Sequence, residues 1–314
     1  MDGGRALLVG IGRFDANPSG GEVPVGTVEF SNLPFIDEVV PPVAEALSRL
    51  GYVTDVHRDI GAKALQAVVT EATGGSARVV YLASHGKPSE KNPHRVDVVP
   101  ADARVGPGMN AAQWVDDAQE SGVPMLFLFD LCRSGRAARL PHLVYGSHTP
   151  VNAWVIAASG TDEDAYDGRF SIALAEVLNA VAETGLDTDP SRSHVPFKTV
   201  ARQIQLRVEK MSGISQSVHS TPMDPAVRDP DLPFFPNGAF DPTVASVADV
   251  DPALREFLDR DAPHFAEKAG TQFVGRRSQL HVLAPWLDDV EAGGLRVVTG
   301  NPGVGKSALL GALA

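Results

Sequence analysis

The chain has 314 residues, 43% hydrophobic and 21% charged, a composition typical of a globular protein. Its net charge of −12 argues against broad binding to nucleic-acid phosphates, which requires a basic face. No apolar run approaches the ~20 residues that span a bilayer, so we expect neither a nucleic-acid nor a membrane partner. The single cysteine, Cys132, excludes an internal disulfide and indicates a reducing, cytoplasmic location.

The predicted elements alternate between strands and helices. Short apolar runs at 6–10, 77–86, 124–132 and 153–160 predict strands that are buried on both faces of a sheet. The first run lacks the basic lead of a secretory signal, so we interpret it as a strand. Helical spacing predicts helices over 37–50, 62–73, 110–119, 169–183 and 197–211. This alternation predicts an α/β fold with a mostly parallel central sheet and helices on both faces.

The composition changes after the last of these helices. Residues 213–250 are rich in Pro, Ser and Asp, which predicts irregular structure closing a first domain. We therefore expect a domain over 1–243, a linker over 244–270 that contains a short helix, and a second domain over 271–314.

Cys132 follows the predicted strand 124–132 and precedes a turn with Gly135. In open α/β sheets, ligand sites gather at the carboxyl ends of the strands. The competing interpretation is that Cys132 is a small buried hydrophobic residue, as free cysteines commonly are. A nucleophilic thiol also requires a base nearby.

His85 is the histidine that fits such a base. It ends the run "VVYLASHG", and Gly86 follows it. Two neighbouring parallel strands would bring His85 and Cys132 to the same edge, where the imidazole can take the thiol proton. The backbone N–H groups of Gly86 and Cys132 would then form an oxyanion hole. The alternative for His85 alone is a structural histidine at a strand end.

Five stretches of the chain together resemble one known family. They are "LLVGIGRFD" (7–15), "LPFIDEVVPPVAEALSRLGY" (33–52), "VVYLASHG" (79–86), "LFDLCRSG" (128–135) and "AASGTDEDAYDGRFSIALAEVL" (157–178). His85 precedes Cys132 by 47 positions, close to the ~50 of caspases. Residues 4–243 thus resemble a caspase-like cysteine peptidase, which implies a three-layer sandwich fold. "DLCRSG" departs from the Gln-Ala-Cys-x-Gly signature of caspases and is similar to bacterial metacaspase-like members.

The metacaspase resemblance implies a preference for Arg or Lys before the scissile bond. Asp130, two residues before the cysteine, would line the primary pocket and pair with the cationic side chain. Asp162 in "TDEDAYD" corresponds to a second pocket acid, although a solvated or helix-capping loop explains it equally well. Some metacaspases bind calcium, but the acids here lack calcium-loop spacing. We expect no cofactor for the peptidase chemistry.

Arg136 and Arg139 lie in the segment where caspase-like enzymes cut themselves between their two halves. An acidic pocket would make both residues candidate self-cleavage positions. A basic surface loop is the interpretation that we favour for this segment.

The C-terminal sequence "GNPGVGKS" fits the P-loop pattern G-x-x-x-x-G-K-[ST]. Its glycines would cradle phosphates, Lys306 would reach the outer phosphates, and Ser307 would ligate magnesium. The predicted nucleotide-binding residues are Gly300, Gly303, Gly305, Lys306 and Ser307. The preceding "FVGRRSQL" resembles STAND-type NTPases. We expect only the first, truncated part of such a module here, with ATP and Mg²⁺ binding confined to a longer parent protein.

The sequence therefore predicts a cysteine endopeptidase that acts on protein or peptide substrates with a basic residue before the cleaved bond. In the parent protein, nucleotide-driven self-association would switch it on, in bacterial regulated cell death or antiphage defence. One alternative is a catalytically silent caspase-fold scaffold tethered to an assembly switch. Another is a nucleotide-binding protein whose N-terminal domain docks partners.

Overall fold

The structure is a computed structural model. It describes residues 4–15, 30–89, 92, 95–106, 108–138, 151–160, 165, 167–211, 216–221, 232–242, 277–288, 297–298, 306 and 309. The chain divides into two compact units, Met1–Asp241 and Pro242–Ala314.

A six-stranded sheet forms the centre of the first unit, with the strand order β2-β1-β3-β6-β7-β8. Its strands are β1 (Arg5–Gly10), β2 (Val53–Arg58), β3 (Val79–Ala83), β6 (Met125–Asp130), β7 (Ala153–Ala157) and β8 (His219–Thr221). All neighbours run parallel except β8, which is antiparallel to β7. A separate two-stranded antiparallel hairpin consists of β4 (Gly86–Pro88) and β5 (Val96–Val98).

Helices cover both faces of this sheet. The helices of the first unit are α1 (Ile36–Arg49), α2 (Ala62–Glu71), α3 (Ala111–Glu120), α4 (Gly135–Ala138), α5 (Arg169–Thr184) and α6 (Phe197–Lys210). A π-helical turn (Ala72–Ser76) follows α2, and a 3-10 turn (Gly185–Asp187) follows α5. One core contains α1, α5 and α6, and the other contains α2, α3 and α4. This arrangement confirms the predicted α/β organisation.

The burial of the central strands explains why the sequence predicted them clearly. Every residue of β3, β6 and β7 is buried. Side chains alternate between the two cores, so Tyr81 and Leu128 face α1 and α5 while Leu82 and Phe129 face α2 and α3. A strand buried on both faces needs an uninterrupted apolar run, which is the pattern that the sequence shows.

Two prolines, Pro41 and Pro42, lie inside α1. Each removes one N–H group from the helix ladder. Both prolines, and Asp37 and Glu38 one turn earlier, are solvent-exposed, so water can satisfy the carbonyls that lose their partners. The buried side of α1 retains its apolar stripe, which includes Val39, Val40 and Val43.

The edge strands β2 and β8 and the hairpin β4–β5 were absent from the predicted elements. β2 is a partly exposed edge strand in which Val53 is 69% exposed. β4, β5 and β8 have three residues each. Edge and short strands lack the long apolar run from which the central strands were predicted.

The proline-rich region after α6 contributes to the first unit. Leu232, Phe234 and Phe235 are buried in the same core as α1 and α5. The hydroxyl of Tyr52 donates a hydrogen bond of 2.8 Å to the carbonyl of Phe234. Residues 232–235 of this region therefore pack onto the first unit, although the stretch predicted to be irregular also contains strand β8.

In the second unit, the structure describes one helix, α7 (Arg277–Asp288), and four further residues after it. The predicted linker helix lies outside the described residues. The predicted identities of the domains stay predictions. Across the described part of the chain, none of the helices combines the length and hydropathy that a membrane span requires.

Candidate active site

The pairing of β3 with β6 determines where His85 and Cys132 lie. The two strands run parallel, and their last paired residues are Ala83 and Asp130. The Ser84 N–H extends the contact by donating to the carbonyl of Asp130 (3.3 Å). His85 and Cys132 each follow this last pair by two positions. Because paired strands lie about 4.8 Å apart, the backbones of both residues leave the sheet at the same edge.

The hairpin β4–β5 fastens the backbone of His85. The Ser84 hydroxyl donates to the carbonyl of Val99 (2.7 Å), and the Val99 N–H donates to the carbonyl of His85 (3.0 Å). The chain turns out of the sheet at this point and continues into β4. His85 is therefore held on both sides by regular backbone pairing.

The His85 imidazole has a polar partner and two aromatic neighbours. Its Nε2 lies 2.7 Å from the carbonyl oxygen of Ser31. A carbonyl oxygen can only accept, so Nε2 carries the proton in this bond and, in the neutral ring, Nδ1 is left as an acceptor. The imidazole also packs against the rings of Phe14 and Phe30, with centroid distances of 4.8 and 5.4 Å.

Cys132 lies in a tight turn between β6 and α4. The following residue, Arg133, has a positive φ of 59°, a conformation that non-glycine residues seldom adopt. The thiol is half-buried, and its sulfur lies 3.8 Å from the carbonyl oxygen of Ala165. Ala165 belongs to the connection between β7 and α5, so the carbonyl of this residue faces the sulfur.

Gly86 packs directly against the cysteine turn. A Cβ atom placed on Gly86 would lie 2.1 Å from the carbonyl oxygen of Cys132, which is far inside van der Waals contact. Any larger residue would therefore push the two segments apart. The sequence predicted that the N–H group of Gly86 belongs to an oxyanion hole. The structure shows in addition that glycine at this position allows the backbone of Cys132 to pack closely against it.

Two buried serines connect the cysteine turn to the end of β7. Ser134 and Ser159 are both completely buried. The N–H of each donates to the hydroxyl of the other, at 3.2 and 3.3 Å, and the Ser159 hydroxyl donates to the carbonyl of Leu131 at 3.0 Å. Gly135 permits this contact, because a Cβ atom there would lie 2.6 Å from the carbonyl oxygen of Ser159. These bonds fix the backbone on both sides of Cys132.

Asp130 ends β6 and directs its side chain toward α5. Its carboxylate is 5% exposed and accepts a hydrogen bond of 2.5 Å from the Ser171 hydroxyl. The Ser171 oxygen lies 2.6 Å from the hydroxyl of Tyr81. Since Ser171 donates its only proton to Asp130, Tyr81 donates to Ser171. Burial raises the pKa of Asp130 to about 6, although the bonds from Ser171 act in the opposite direction.

Several predicted site residues lie outside the described residues. These are Asp162, Arg139, Gly300, Gly303, Gly305 and Ser307. Lys306 is described, half-buried and helical, but without its motif neighbours the predicted phosphate cradle stays a prediction.

Arg136, the other predicted self-cleavage position, lies in α4. It is half-buried, and its guanidinium donates to the carbonyl of Ser89 (2.9 Å). The assignment of Arg136 as a self-cleavage position stays a prediction.

Sequence reasoning did not find Ser31, Ser171 or the Ser134–Ser159 pair. Ser31 acts through a backbone carbonyl, which carries no residue-specific signal. Ser171 and Ser159 had a weak signal, since each is a polar residue in an otherwise apolar or small-residue run. Among the described residues, no three metal-ligating side chains are grouped so that they could hold an ion.

No protein-family model matches the chain, and no curated protein matches it. Among solved structures, 218 chains match. One is the crystal structure of the Drosophila initiator caspase Dronc. It has a TM-score of 0.44 and 13% sequence identity, and the match covers 69% of this chain and 78% of the caspase.

Replacing Ser134 or Ser159 with Ala should lower the free energy of unfolding by about 1–3 kcal/mol, because each change leaves a buried partner unsatisfied. The double variant should lose less than the sum of the two single losses, by about 1 kcal/mol. Urea unfolding followed by circular dichroism measures these values. The control is Ser48→Ala, an exposed hydroxyl on α1, with an expected change within about 0.5 kcal/mol. The two hydroxyl oxygens lie 3.4 Å apart, and additive losses would contradict an energetic coupling between them.

Asp130 should make stability depend on pH in the acidic range. The pKa of Asp130 is about 6 in the folded protein and about 4 in an unfolded chain. The folded state therefore binds the proton of Asp130 more tightly than the unfolded state does. The stabilisation that comes from this bound proton is complete below pH 4 and is lost as the pH rises through 6. The unfolding free energy of the protein, minus that of Asp130→Asn, should fall by up to about 3 kcal/mol between pH 4 and 7. A flat difference would show that the carboxyl group is not buried as described.

Proposed function

We propose that the chain is a caspase-like cysteine endopeptidase whose nucleophile is Cys132 and whose base is His85. The observation that carries this proposal is the register of β3 and β6, which makes both residues follow the last strand pair by the same two positions. The metacaspase-like resemblance of the five sequence stretches supports the same assignment. The alternatives for each residue alone, a buried small residue and a structural histidine, do not explain why the two share one edge.

The proton chemistry follows from the tautomer of His85. Its Nε2–H is engaged by the Ser31 carbonyl, so Nδ1 is the nitrogen that accepts the thiol proton. This transfer requires the Cys132 side chain to adopt a rotamer in which the sulfur faces Nδ1 of His85, whereas it now lies near the carbonyl of Ala165. The thiolate then attacks the substrate carbonyl carbon, and the carbonyl electron pair moves onto the oxygen.

The reaction is completed in two further steps. Collapse of the tetrahedral intermediate breaks the C–N bond, and the amine leaves with the proton from His85. A water molecule then gives its proton to His85 and attacks the thioester, which releases the acid and regenerates the thiol. The N–H groups of Gly86 and Cys132 are the proposed donors to the oxyanion in both steps.

Asp130 is the proposed selector for a basic residue before the scissile bond. It stands two residues from the nucleophile, and its buried carboxylate has a desolvation cost that a guanidinium or ammonium group would offset. The pKa of about 6 means that the carboxylate is ionised at neutral pH. Asp162 is proposed as a second acid of this pocket, by resemblance alone.

The C-terminal motif supports a proposal about regulation. A P-loop at 300–307 would bind nucleotide with Mg²⁺ and drive self-association of the protein. Assembly would bring peptidase units together, which is a form of control suited to cell death or antiphage defence.

Peptide reporters test the activity. We expect cleavage after Arg or Lys, no cleavage after Asp, and loss of turnover in Cys132→Ala, because the thiolate forms the acyl-enzyme. Initial rates from quenched fluorescent peptides measure this. The thermal midpoint of Cys132→Ala should stay close to that of the parent chain, which excludes unfolding as the cause. Turnover that survives in Cys132→Ala would exclude the proposed mechanism, and a silent chain with an intact fold would favour the scaffold.

Asp130→Asn should lower kcat/KM for Arg peptides by about 10- to 100-fold, because a charge-assisted bond contributes about 1.5–3 kcal/mol. KM for Arg peptides should also rise as the pH falls below about 6, where Asp130 takes up a proton. Rates for peptides with an uncharged residue at the same position provide the matched comparison. An equal loss for charged and uncharged peptides would assign Asp130 a structural role only.

A further inference from the structure

A cavity of about 480 Å³ opens near the ends of β1 and β2, with Phe14 in its wall. Its size falls within the range of ligand pockets in proteins. The described residues that line it are Arg13, Phe14, Asp15, Asn32, Asp59, Gly61, Ala101 and Asp102. The roles assigned so far to His85, Cys132 and Asp130 leave this cavity without a function.

Residues that line the cavity also help to hold the His85 imidazole in place. Phe14 lines the cavity and also packs on the His85 ring at 4.8 Å. Asn32 lines the cavity too, and its side-chain oxygen accepts from the Phe14 N–H (3.0 Å). Asn32 directly follows Ser31, whose carbonyl holds Nε2 of His85. An occupant of the cavity would therefore lie next to the proposed base.

The sheet order indicates which part of a substrate reaches this cavity. His85 follows β3, which lies between β1 on one side and β6 on the other. The acyl part of the substrate is bonded to Cys132 after β6, with Asp130 on the same strand. The leaving amine must take its proton from His85. The chain that follows the scissile bond therefore departs on the His85 side, toward β1, β2 and the cavity.

The lining is acidic on balance. Asp15, Asp59 and Asp102 contribute three carboxylates, and Arg13 contributes one guanidinium, which lies 3.8 Å from Asp59. Asp59 also accepts from the N–H groups of Gly12 and Arg13, and Asp102 accepts from those of Ala62 and Arg104. The Phe14 ring adds a face that attracts cations. In the described part of the chain these acids do not form a metal-ligand group, which favours an organic cation.

We infer that this cavity binds a basic side chain of the leaving peptide, within the first residues after the scissile bond. The inference rests on the proposed peptidase function, because the direction of the leaving chain follows from the role of His85. It extends that function from one basic residue before the cleaved bond to a second basic residue after it.

A peptide series tests the inference on the full chain. The peptides keep Arg before the cleaved bond and carry Arg, Lys, Ala or Glu at each of the next three positions in turn. At one of these positions we expect kcat/KM to be about tenfold higher with Arg or Lys than with Glu, as for a partly solvated charge pair. Equal rates at all three positions would overturn the inference and leave the peptidase proposal intact.

Charge-removing variants locate the preference in the cavity. The double variant Asp15→Asn with Asp102→Asn should abolish it. The Asp102 carboxylate accepts the Ala62 N–H at 3.1 Å, and the amide oxygen introduced by the substitution can still accept this bond. The matched control is Asp117→Asn, an exposed carboxylate on α3 that accepts from Gln113 and does not line the cavity. The control should keep the preference. A preference that survives in the double variant would overturn the inference.

Binding to Cys132→Ala separates this inference from the activity. Fluorescence anisotropy with the same labelled peptides should show tighter binding of Arg peptides than Glu peptides, dependent on Asp15 and Asp102. Such binding without hydrolysis by the parent chain would refute the peptidase and support the cavity as a cation site. Equal binding of both peptides would overturn the cavity assignment.

Discussion

The parallel pairing of β3 with β6 is the constraint on which the candidate site depends. Side chains on a strand alternate between its two faces, so a shift of one residue would move Tyr81 and Leu128 from one core to the other. The complete burial of both strands makes such a shift costly. The register that packs the core is thus the register that delivers His85 and Cys132 to one edge. The hydrophobic packing of the two strands therefore sets the relative position of the two residues.

Polar groups begin where the apolar pairing ends, and each has a specific partner. Asp130 has a high desolvation cost, since its carboxylate is buried at the end of β6. Ser171 and Tyr81 reduce that cost through a chain of hydrogen bonds, but the raised pKa shows that the reduction is incomplete. A buried carboxylate with residual cost is suited to bind a cation. This incomplete compensation connects the packing of α5 against the sheet to the proposed substrate preference.

The sequence predicted the central strands, the main helices and the shared edge, because buried parallel strands and amphipathic helices have strong local patterns. It did not predict β2, β4, β5 or β8, which are short or partly exposed. The sequence also did not indicate Ser31, because this residue contacts His85 through its backbone carbonyl, which every residue type has. Gly86 was identified from its position, but its close approach to the Cys132 carbonyl depends on a register that only three-dimensional pairing defines. The contacts across the sheet edge are non-local and leave little trace in a single sequence.

Acidic groups lie on both sides of the proposed base. Asp130 is on the β6 side of His85, and the cavity with Asp15 and Asp102 is on the β1 and β2 side. A substrate with basic residues on both sides of the scissile bond would be held across His85 and Cys132 by two charge contacts, which restrict its motion along the site. The net charge of −12 adds long-range attraction for such a substrate. Under the proposed function, a peptide segment with basic residues on both sides of the cleaved bond has the chemistry that this arrangement favours.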